Sequence, residues 1–236
     1  MKKFNRVLLK LSGEALKGDL AQGYQPEAII DIVERIVKVL NNGVEVAVVV
    51  GAGNLWRGLA GSNGGMNRVR ADHMGMLATM MNALALKEYF AQAGIDALVQ
   101  GAVEISGMIR KFDPDTAIGA LSSGRPVIFA GGTGNPFFTT DTAAVLRALE
   151  TDCDAVLKAT KVDGIYTDDP FKNPDAERFD EISFDEALER QLKVMDAAAF
   201  SLCRDNRLPI IVFDFAQPDS LERVTSGDTS IGTIVC

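Results

Sequence analysis

A glycine-rich loop runs directly into the predicted start of a helix in the segment GGTGNPFFTTDTAAVLRALE. Gly131, Gly132 and Gly134 can adopt backbone angles that are closed to other residues, and they let backbone amides approach an anion closely. Thr139 and Thr140 place hydroxyl groups where the helix begins, at the positive end of its dipole. The segment therefore predicts a phosphate-binding site, and the alternative is a threonine-capped turn that binds nothing.

Two lysines stand at the ends of apolar runs. Lys10 follows RVLL and precedes a glycine turn, and Lys158 lies near the end of DAVLKA. Transfer of a phosphoryl group needs positioning and neutralisation of negative charge more than it needs covalent chemistry. The position of Lys10 favours this role over that of a solvated surface cation. For Lys158 a salt bridge to a nearby acid remains an alternative.

Composition limits the class of protein. The chain has 236 residues, of which 47% are hydrophobic and 24% charged, and a formal net charge of -8. This charge argues against nucleic acid as a partner. Three cysteines without a CxxC pair indicate neither a zinc site nor a disulfide framework, so we name no metal ligand. The short apolar start predicts no signal peptide, and no run reaches membrane-spanning length, so we expect a cytoplasmic protein with no membrane partner.

Apolar runs that alternate with helical patterns must position these residues. Five runs predict buried parallel strands, at residues 6–11, 44–50, 125–130, 154–159 and 208–215. The order β-α-β-α favours a mostly parallel sheet with helices on both sides and ligands at the carboxyl ends of the strands. Four loops are then expected at one edge, namely KLSGE, GAGNLWRG, GTGNPFFTTD and KATKVDGIY.

Two long helices are predicted between the strands. Residues 26–42 form an amphipathic helix with Pro26 in its first turn and Gly43 as its stop. Residues 71–93 are apolar on two sides, which predicts burial of both. The stripes contain Met74, Leu77, Met81 and Leu84 on one side and Met76, Met80 and Ala83 on the other. This helix is either central to the core or packs its second face against another subunit.

Common nucleotide-binding motifs are absent, because Leu59 replaces the Walker lysine and residues 51–56 do not fit the dinucleotide pattern. The chain instead resembles the bacterial UMP kinases of the amino acid kinase family over nearly its whole length. The resemblance lies in KLSGE, GNLWRG, DHMGMLATMMNALAL, GTGNPFFTTD, KATKVDGIYTDDP and LKVMDAAAF, which occur in that order.

The resemblance implies an α/β fold, a three-layer α/β/α sandwich with a mostly parallel central sheet. It implies one domain over residues 1–236, with acceptor and phosphate binding in about 1–150 and ATP binding in about 151–236. The implied reaction is transfer of the γ-phosphoryl group of MgATP to UMP in pyrimidine nucleotide synthesis. A homohexamer, activation by GTP and inhibition by UTP are also implied, and Mg²⁺ is expected to arrive with ATP.

The resemblance also assigns residues to these roles. Lys10, Asp141 and Lys158 are the expected catalytic group, with Asp141 between the two lysines as a charge organiser rather than a base. The alternative for Asp141 is simple stabilisation of the helix dipole. The expected ATP contacts are Lys10, Leu11, Ser12, Gly13, Gly53, Arg57, Thr160, Tyr166 and Asp169. A surface salt bridge is the alternative for Arg57, and a tight hairpin without ligand for the turn at Asp163 and Gly164.

The expected UMP contacts are Ala52, Asp72, Thr133, Gly134, Asn135, Pro136, Phe137, Phe138, Thr139 and Thr140. Asp72 would hydrogen-bond the ribose hydroxyls, and its alternative is capping of its own helix. The segment implied in GTP activation maps onto Gly18, Asp19, Leu20, Ala21, Gln22 and Gly23. One residue departs from the family, because Ala52 stands where a glycine is usual. If that position required a positive φ, the alanine would cost about 1 kcal/mol or more.

Two rival functions are weighed against these residues. A related kinase acting on a carboxylate or carbamate would keep Lys10 but should lack Asp72 and the sequence GTGNPFFTT, which are present. A catalytically silent nucleotide-binding protein on the same fold should have lost Lys10 or Asp141, and both remain.

Overall fold

The computed structural model describes residues 3–56, 65–168, 170–192 and 194–236. Among these residues a nine-stranded sheet has the order β4-β3-β5-β2-β1-β6-β10-β11-β9. Its strands are β1 Arg6–Leu11, β2 Glu45–Val50, β3 Leu98–Gly101, β4 Arg110–Lys111, β5 Val127–Ala130, β6 Ala155–Thr160, β9 Glu181–Ile182, β10 Ile210–Asp214 and β11 Gly232–Val235. Strands β7 Ile165–Tyr166 and β8 Arg178–Phe179 form a separate antiparallel pair.

Every neighbouring pair in the large sheet is parallel except β10 and β11. The prediction of a mostly parallel sheet is thus confirmed, and each of the five predicted apolar runs contains a strand. The two-residue strands and β3 were not predicted, because segments this short carry too little periodicity. Strand β11, which lies outside the five runs, is antiparallel to β10 although a short helix at Ser220–Thr225 separates the two strands, and an alternating β-α pattern does not anticipate this direction.

Helices cover both faces of the sheet. They are α1 Pro26–Asn41, α2 Arg68–Gln92, α3 Pro114–Ser122, α4 Thr140–Glu150, α5 Phe184–Glu189, α6 Ala197–Asn206 and α7 Ser220–Thr225, with a 3-10 helix at Gly13–Lys17. Buried residues of α1, α2 and α7 join one hydrophobic core, and those of α3 to α6 join the core on the opposite face. The protein is therefore a three-layer α/β/α sandwich.

Helix α2 differs from its prediction in two respects. It begins at Arg68, because the side chain of Asn67 caps it by accepting from the amides of Val69 and Arg70. Capping by Asp72 is therefore wrong. Burial of both sides in the core of this chain is also wrong, because one stripe is exposed within the described residues, whereas packing of that side against another subunit stays a prediction. This stripe consists of Met74, Leu77, Met81 and Leu84, whereas Met80 and Ala83 on the other side are buried.

No helix among the described residues combines the length and the apolar character needed to cross a bilayer.

Candidate active site

Four loops lie at one edge of the central sheet. Strands β5, β2, β1 and β6 are neighbours and run parallel, so their carboxyl ends meet at that edge. We call residues 131–139 after β5 the glycine loop and residues 51–56 after β2 the β2 turn. The 3-10 helix follows β1, and residues 161–164 follow β6. The predicted convergence of the four loops is confirmed.

Two lysines and one aspartate form a charged cluster at the centre of this edge. Lys10 on β1 and Lys158 on β6 are direct partners in the parallel register. Asp141 lies in the first turn of α4 and has one carboxylate oxygen 2.7 Å from Lys10 Nζ and the other 2.9 Å from Lys158 Nζ. The three side chains are only 14%, 12% and 18% exposed, in the order Lys10, Asp141 and Lys158. The structure thus brings together the three residues of the predicted catalytic group.

Asp141 remains ionised in this cluster. Burial alone would raise the pKa of its carboxyl group, but the charges and hydrogen bonds of Lys10 and Lys158 outweigh it and hold the pKa below its ordinary value. Lys158 Nζ also donates to the carbonyl oxygen of Val194, which leaves its ammonium group with two fixed partners. The cluster carries two positive charges against one negative charge, so it can attract a further anion.

The glycine loop has the backbone that the sequence predicted. Gly131, Gly132 and Gly134 have φ angles of 79°, 60° and 78°, in the region that favours glycine. A Cβ atom on Gly131 would lie 2.8 Å from the terminal methyl carbon of Met80, so a side chain there would also require Met80 of α2 to move. The Gly131 amide donates to the Thr79 hydroxyl at 2.9 Å. Helix α2 therefore fixes the start of the loop.

Asp72 fixes the middle of the glycine loop. Phe137 has a φ of 72°, which is unusual for a residue with a side chain, and its amide donates to Asp72 Oδ2 at 2.8 Å. Arg68 Nε pairs with the same carboxylate at 2.9 Å. The rings of Phe137 and Phe138 are exposed, as is Asn135. Asp72 thus holds an unusual backbone in place beside exposed side chains.

The end of the glycine loop is joined to α6 through a residue that the sequence analysis missed. Thr139 caps α4 by accepting from the amide of Asp141, as its position predicted. Its own hydroxyl donates to the carboxylate of Asp196, which also accepts from Thr142 Oγ1 at 2.9 Å. Asp196 caps α6 by accepting from the Ala199 amide. An aspartate before an apolar helix is a recognisable capping signal, but its threonine partners are distant in sequence.

A cavity of about 640 Å³ opens beside β6, and we call it the β6 cavity. It is lined by Lys158, Thr160 and Tyr166 among the predicted residues. The sequence analysis missed several other lining residues, including Val162, Gln191, Leu192, Val194 and Val212. These are mostly apolar side chains from separate elements, so no local motif marks them.

Tyr166 is held at the wall of the β6 cavity. Its hydroxyl donates to Asp163 Oδ1 at 2.7 Å, and this bond together with partial burial raises the pKa of the phenol. Arg178 Nη1 lies 3.2 Å from Asp163 Oδ2. The turn at residues 163–164 joins β6 to β7. Strand β7 pairs with β8, from which residues 167–177 separate it, so the alternative of a tight hairpin is wrong.

The remaining predicted residues fall around the same edge. Leu11 and Ser12 line a second cavity of about 280 Å³ together with Thr160, and Gly13 packs against the β2 turn. Ala52 is not among the described residues with positive φ, so the expected cost of a methyl group does not arise. Gly53 lies next to Glu14 rather than in the β6 cavity. Arg57 and Asp169 lie outside the described residues.

The segment of residues 18–23 lies on the surface beside the β2 turn. Gly18 has a φ of 50°, Leu20 is exposed, and the Asp19 amide donates to the side chain of Gln25. The Gly23 amide donates to the carbonyl of Asn54 at 2.9 Å. The predicted effector segment thus contacts one of the four loops of the edge directly.

Known proteins resemble this chain in both sequence and fold. The sequence profile of the amino acid kinase family matches residues 5–214. The structure is similar to a UMP kinase from Bacillus anthracis, with a TM-score of 0.96 and 34% identity over 99% of this chain and 96% of that chain. For a UMP kinase from Ureaplasma parvum the TM-score is 0.92 and the identity 35%, over 100% of this chain and 99% of that chain. For a uridylate kinase from Archaeoglobus fulgidus the TM-score is 0.74 and the identity 26%, over the whole of both chains.

The fold, the charged cluster at its edge and a profile match over most of the sequence agree with one another. This chain belongs to the amino acid kinase family and is a phosphotransferase.

Proposed function

We propose that this enzyme transfers the γ-phosphoryl group of ATP to UMP and releases ADP and UDP, as a step in pyrimidine nucleotide synthesis. The observation that carries the proposal is the Lys10–Asp141–Lys158 cluster, which lies between the glycine loop and the β6 cavity. The likeness to proteins called UMP kinases supports UMP as the acceptor. The whole chain would act as one domain, with acceptor binding in about residues 1–150 and ATP binding in about 151–236.

The proposed mechanism assigns charge stabilisation to the two lysines. A phosphoryl group in transfer spreads negative charge over its oxygens, and preorganised ammonium groups stabilise that charge without rearranging. Asp141 would keep the ammonium groups of Lys10 and Lys158 at fixed positions, because both carboxylate oxygens are already paired with them. The attacking phosphate oxygen of UMP is deprotonated near neutral pH, so no general base is required.

The two nucleotides would bind on opposite sides of the cluster. Residues 133–140, in the glycine loop and at the start of α4, would hold the UMP phosphate, and Asp72 would accept hydrogen bonds from the ribose. The β6 cavity would hold the adenosine of ATP, with Thr160 and Tyr166 in contact with it. Apolar walls with a few polar groups suit a nucleotide base.

Magnesium is proposed to arrive with ATP. The described residues contain no group of three or more histidine, cysteine, aspartate or glutamate side chains able to hold a metal ion. A triphosphate with water molecules satisfies the octahedral preference of Mg²⁺ with few protein ligands, which fits this site. When bound, Mg²⁺ would neutralise part of the phosphate charge.

Self-association and regulation are also proposed. The exposed stripe of Met74, Leu77, Met81 and Leu84 on α2 supports an assembly of several copies, which we propose to be a hexamer. GTP is proposed as activator and UTP as inhibitor, with residues 18–23 as the responsive segment. The three cysteines are free thiols, which favours the reducing cytoplasm as the site of action.

A coupled assay of ADP release tests the proposal. MgATP is supplied with UMP, CMP, dUMP, acetylglutamate, aspartate or carbamate, with and without GTP. We expect turnover with UMP in clear preference to the other acceptors. Turnover with a carboxylate or carbamate would assign the protein to another branch of the family, and nucleotide binding without any turnover would contradict the kinase function.

A further inference from the structure

Two buried asparagines face each other between helix α2 and the β2 turn. Asn54 and Asn82 are 1% and 0% exposed. Asn54 Nδ2 donates to Asn82 Oδ1 at 3.0 Å, and Asn82 Nδ2 donates to Asn54 Oδ1 at 2.8 Å. Neither side chain has a role in the function proposed above. A reciprocal amide pair inside an apolar core therefore calls for an explanation.

Each amide uses its second N–H group to hold a backbone carbonyl. Asn82 Nδ2 donates to the Gly51 carbonyl at 2.7 Å, and Asn54 Nδ2 donates to the Gly23 carbonyl at 3.1 Å. All four N–H groups of the pair thus have an acceptor. In the interior an unmatched amide is costly, so loss of one side chain leaves the other amide and a carbonyl unsatisfied. The pair fixes these two backbone positions relative to α2.

The fixed backbone lies against the charged cluster. A Cβ atom on Gly13 would be 2.3 Å from the Gly51 oxygen and 2.6 Å from the Gly53 nitrogen, so the two chain segments touch. A Cβ atom on Gly51 would be 3.6 Å from the Thr140 hydroxyl. The β2 turn is therefore packed between the loop that follows Lys10 and the first turn of α4, which carries Asp141.

We propose that Asn54 and Asn82 are positioning residues for phosphoryl transfer. By holding the Gly51 carbonyl, they keep the β2 turn pressed against Gly13 and Thr140, so that the lysine and aspartate side chains keep their spacing. The bond to Gly23 ties the surface segment of residues 18–23 to the same turn. This inference rests on the proposed function, because it assigns the pair to that reaction.

Isosteric replacements test the pair. In Asn82→Leu and Asn54→Leu we expect kcat, measured with MgATP and UMP at saturation, to fall about tenfold or more, because small displacements of reacting groups have large effects on rate. The matched control is Gln100→Leu, which removes another buried amide, 3% exposed, whose oxygen accepts from the Asp113 amide. In the control we expect a similar drop in melting temperature but a change in kcat of less than about twofold.

A double variant separates positioning from stability. Because two apolar side chains can face each other, Asn54→Leu with Asn82→Leu should lose less stability than the sum of the single variants, while kcat stays low. Wild-type kcat in any of these folded variants would overturn the proposal, and so would an equal loss of kcat in Gln100→Leu. If Asn82→Leu does not fold, the smaller change Asn82→Ser takes its place with the same expectations.

Hydrogen exchange tests whether the asparagine pair holds the β2 turn, and this test does not depend on the proposed function. Amides of residues 51–56 should exchange faster in Asn82→Leu than in the wild type, and should be unchanged in Gln100→Leu. If the wild type does not phosphorylate UMP, the proposed function fails, but the exchange still shows whether the pair holds the turn. Unchanged exchange in Asn82→Leu would overturn the positioning role even if kcat falls.

Discussion

The glycine loop and the β6 cavity stand on either side of one charged cluster, but they are held in place in different ways. The glycine loop depends on side chains that are distant in sequence. Thr79 and Asp72 of α2 accept hydrogen bonds from backbone amides of the loop. Asp196 accepts one from the hydroxyl group of Thr139 at the end of the loop. The β6 cavity is lined by apolar and polar side chains from several elements, among them Val162, Val212 and Lys158. The bond between Tyr166 and Asp163 is a polar contact at its wall.

This difference indicates two modes of recognition. A phosphate must be met by several donors at fixed positions, and a loop with positive φ angles needs external anchors to keep them there. A nucleotide base is recognised largely by shape, which apolar walls provide without a dense hydrogen-bond network. We therefore expect single substitutions to be more damaging in the glycine loop and its anchors than in the β6 cavity.

The largest expected effect lies at the charged cluster that both regions share. Lys10→Ala should lower kcat by about 100-fold or more with the fold intact, because one preorganised charge is removed. Steady-state kinetics with each nucleotide varied in turn measures this. The control is Lys87→Ala on the exposed side of α2, which should leave kcat unchanged. Near-wild-type turnover in Lys10→Ala would contradict the proposed role of Lys10.

A smaller, one-sided effect is expected at the anchor of the glycine loop. Asp72→Asn should raise KM for UMP about tenfold or more and leave KM for ATP nearly unchanged, because a charged acceptor for the ribose and for the Phe137 amide is lost. Asp96→Asn, which removes a surface carboxylate paired with Arg125, is the matched control. An equal loss of affinity for both nucleotides would refute the assignment of Asp72 to UMP.

The β6 cavity should respond less. Tyr166→Phe removes the hydroxyl that donates to Asp163 and keeps the ring, so we expect KM for ATP to rise by only about three- to tenfold. KM for UMP should not change. The control is Tyr89→Phe, at a partly buried tyrosine of α2 that packs against the core, and it should affect neither value. If Tyr166→Phe raised KM for UMP more than Asp72→Asn does, the expected difference between the two regions would be reversed.

The smallest expected effect is on stability at low pH. The pKa of Asp141 is held below its ordinary value by Lys10 and Lys158, so its contribution to stability is present above the unfolded pKa, about 4. That contribution is lost as pH falls through the folded pKa. Melting temperatures from pH 6 to pH 3 should therefore differ most between wild type and Asp141→Asn at pH 6. A constant difference over this range would show that the charge of Asp141 does not stabilise the fold.

The sequence was most informative where local signals were strong. Five apolar runs located five strands, including the four whose ends form the site, and the glycines at 131, 132 and 134 were expected to adopt special backbone angles, as they do. The cap at Thr139 also followed from residue type and position. These features depend on a few adjacent residues, so one sequence suffices to predict them.

Other features could not be predicted because they depend on contacts across the fold. The polar residue Asn82 lies within an apolar stretch of α2, and nothing nearby in sequence shows that Asn54 faces it. The start of α2 was placed three residues late, because its cap, Asn67, follows a stretch without periodicity. The exposed stripe of α2 was expected to be buried, because an apolar sequence pattern shows which side chains are hydrophobic but not whether another element of the chain covers them.

By itself the sequence determined the order of five strands and two long helices, the glycine conformations of the loop after β5 and the chemistry available at the strand ends. Only the tertiary structure decided that Lys10 and Lys158 are neighbours in register and that Asp141 of α4 lies between them. The physical reason is that strand order and register are set by packing of the whole sheet between its two helix layers. A parallel sheet brings together residues that are more than a hundred positions apart in the chain.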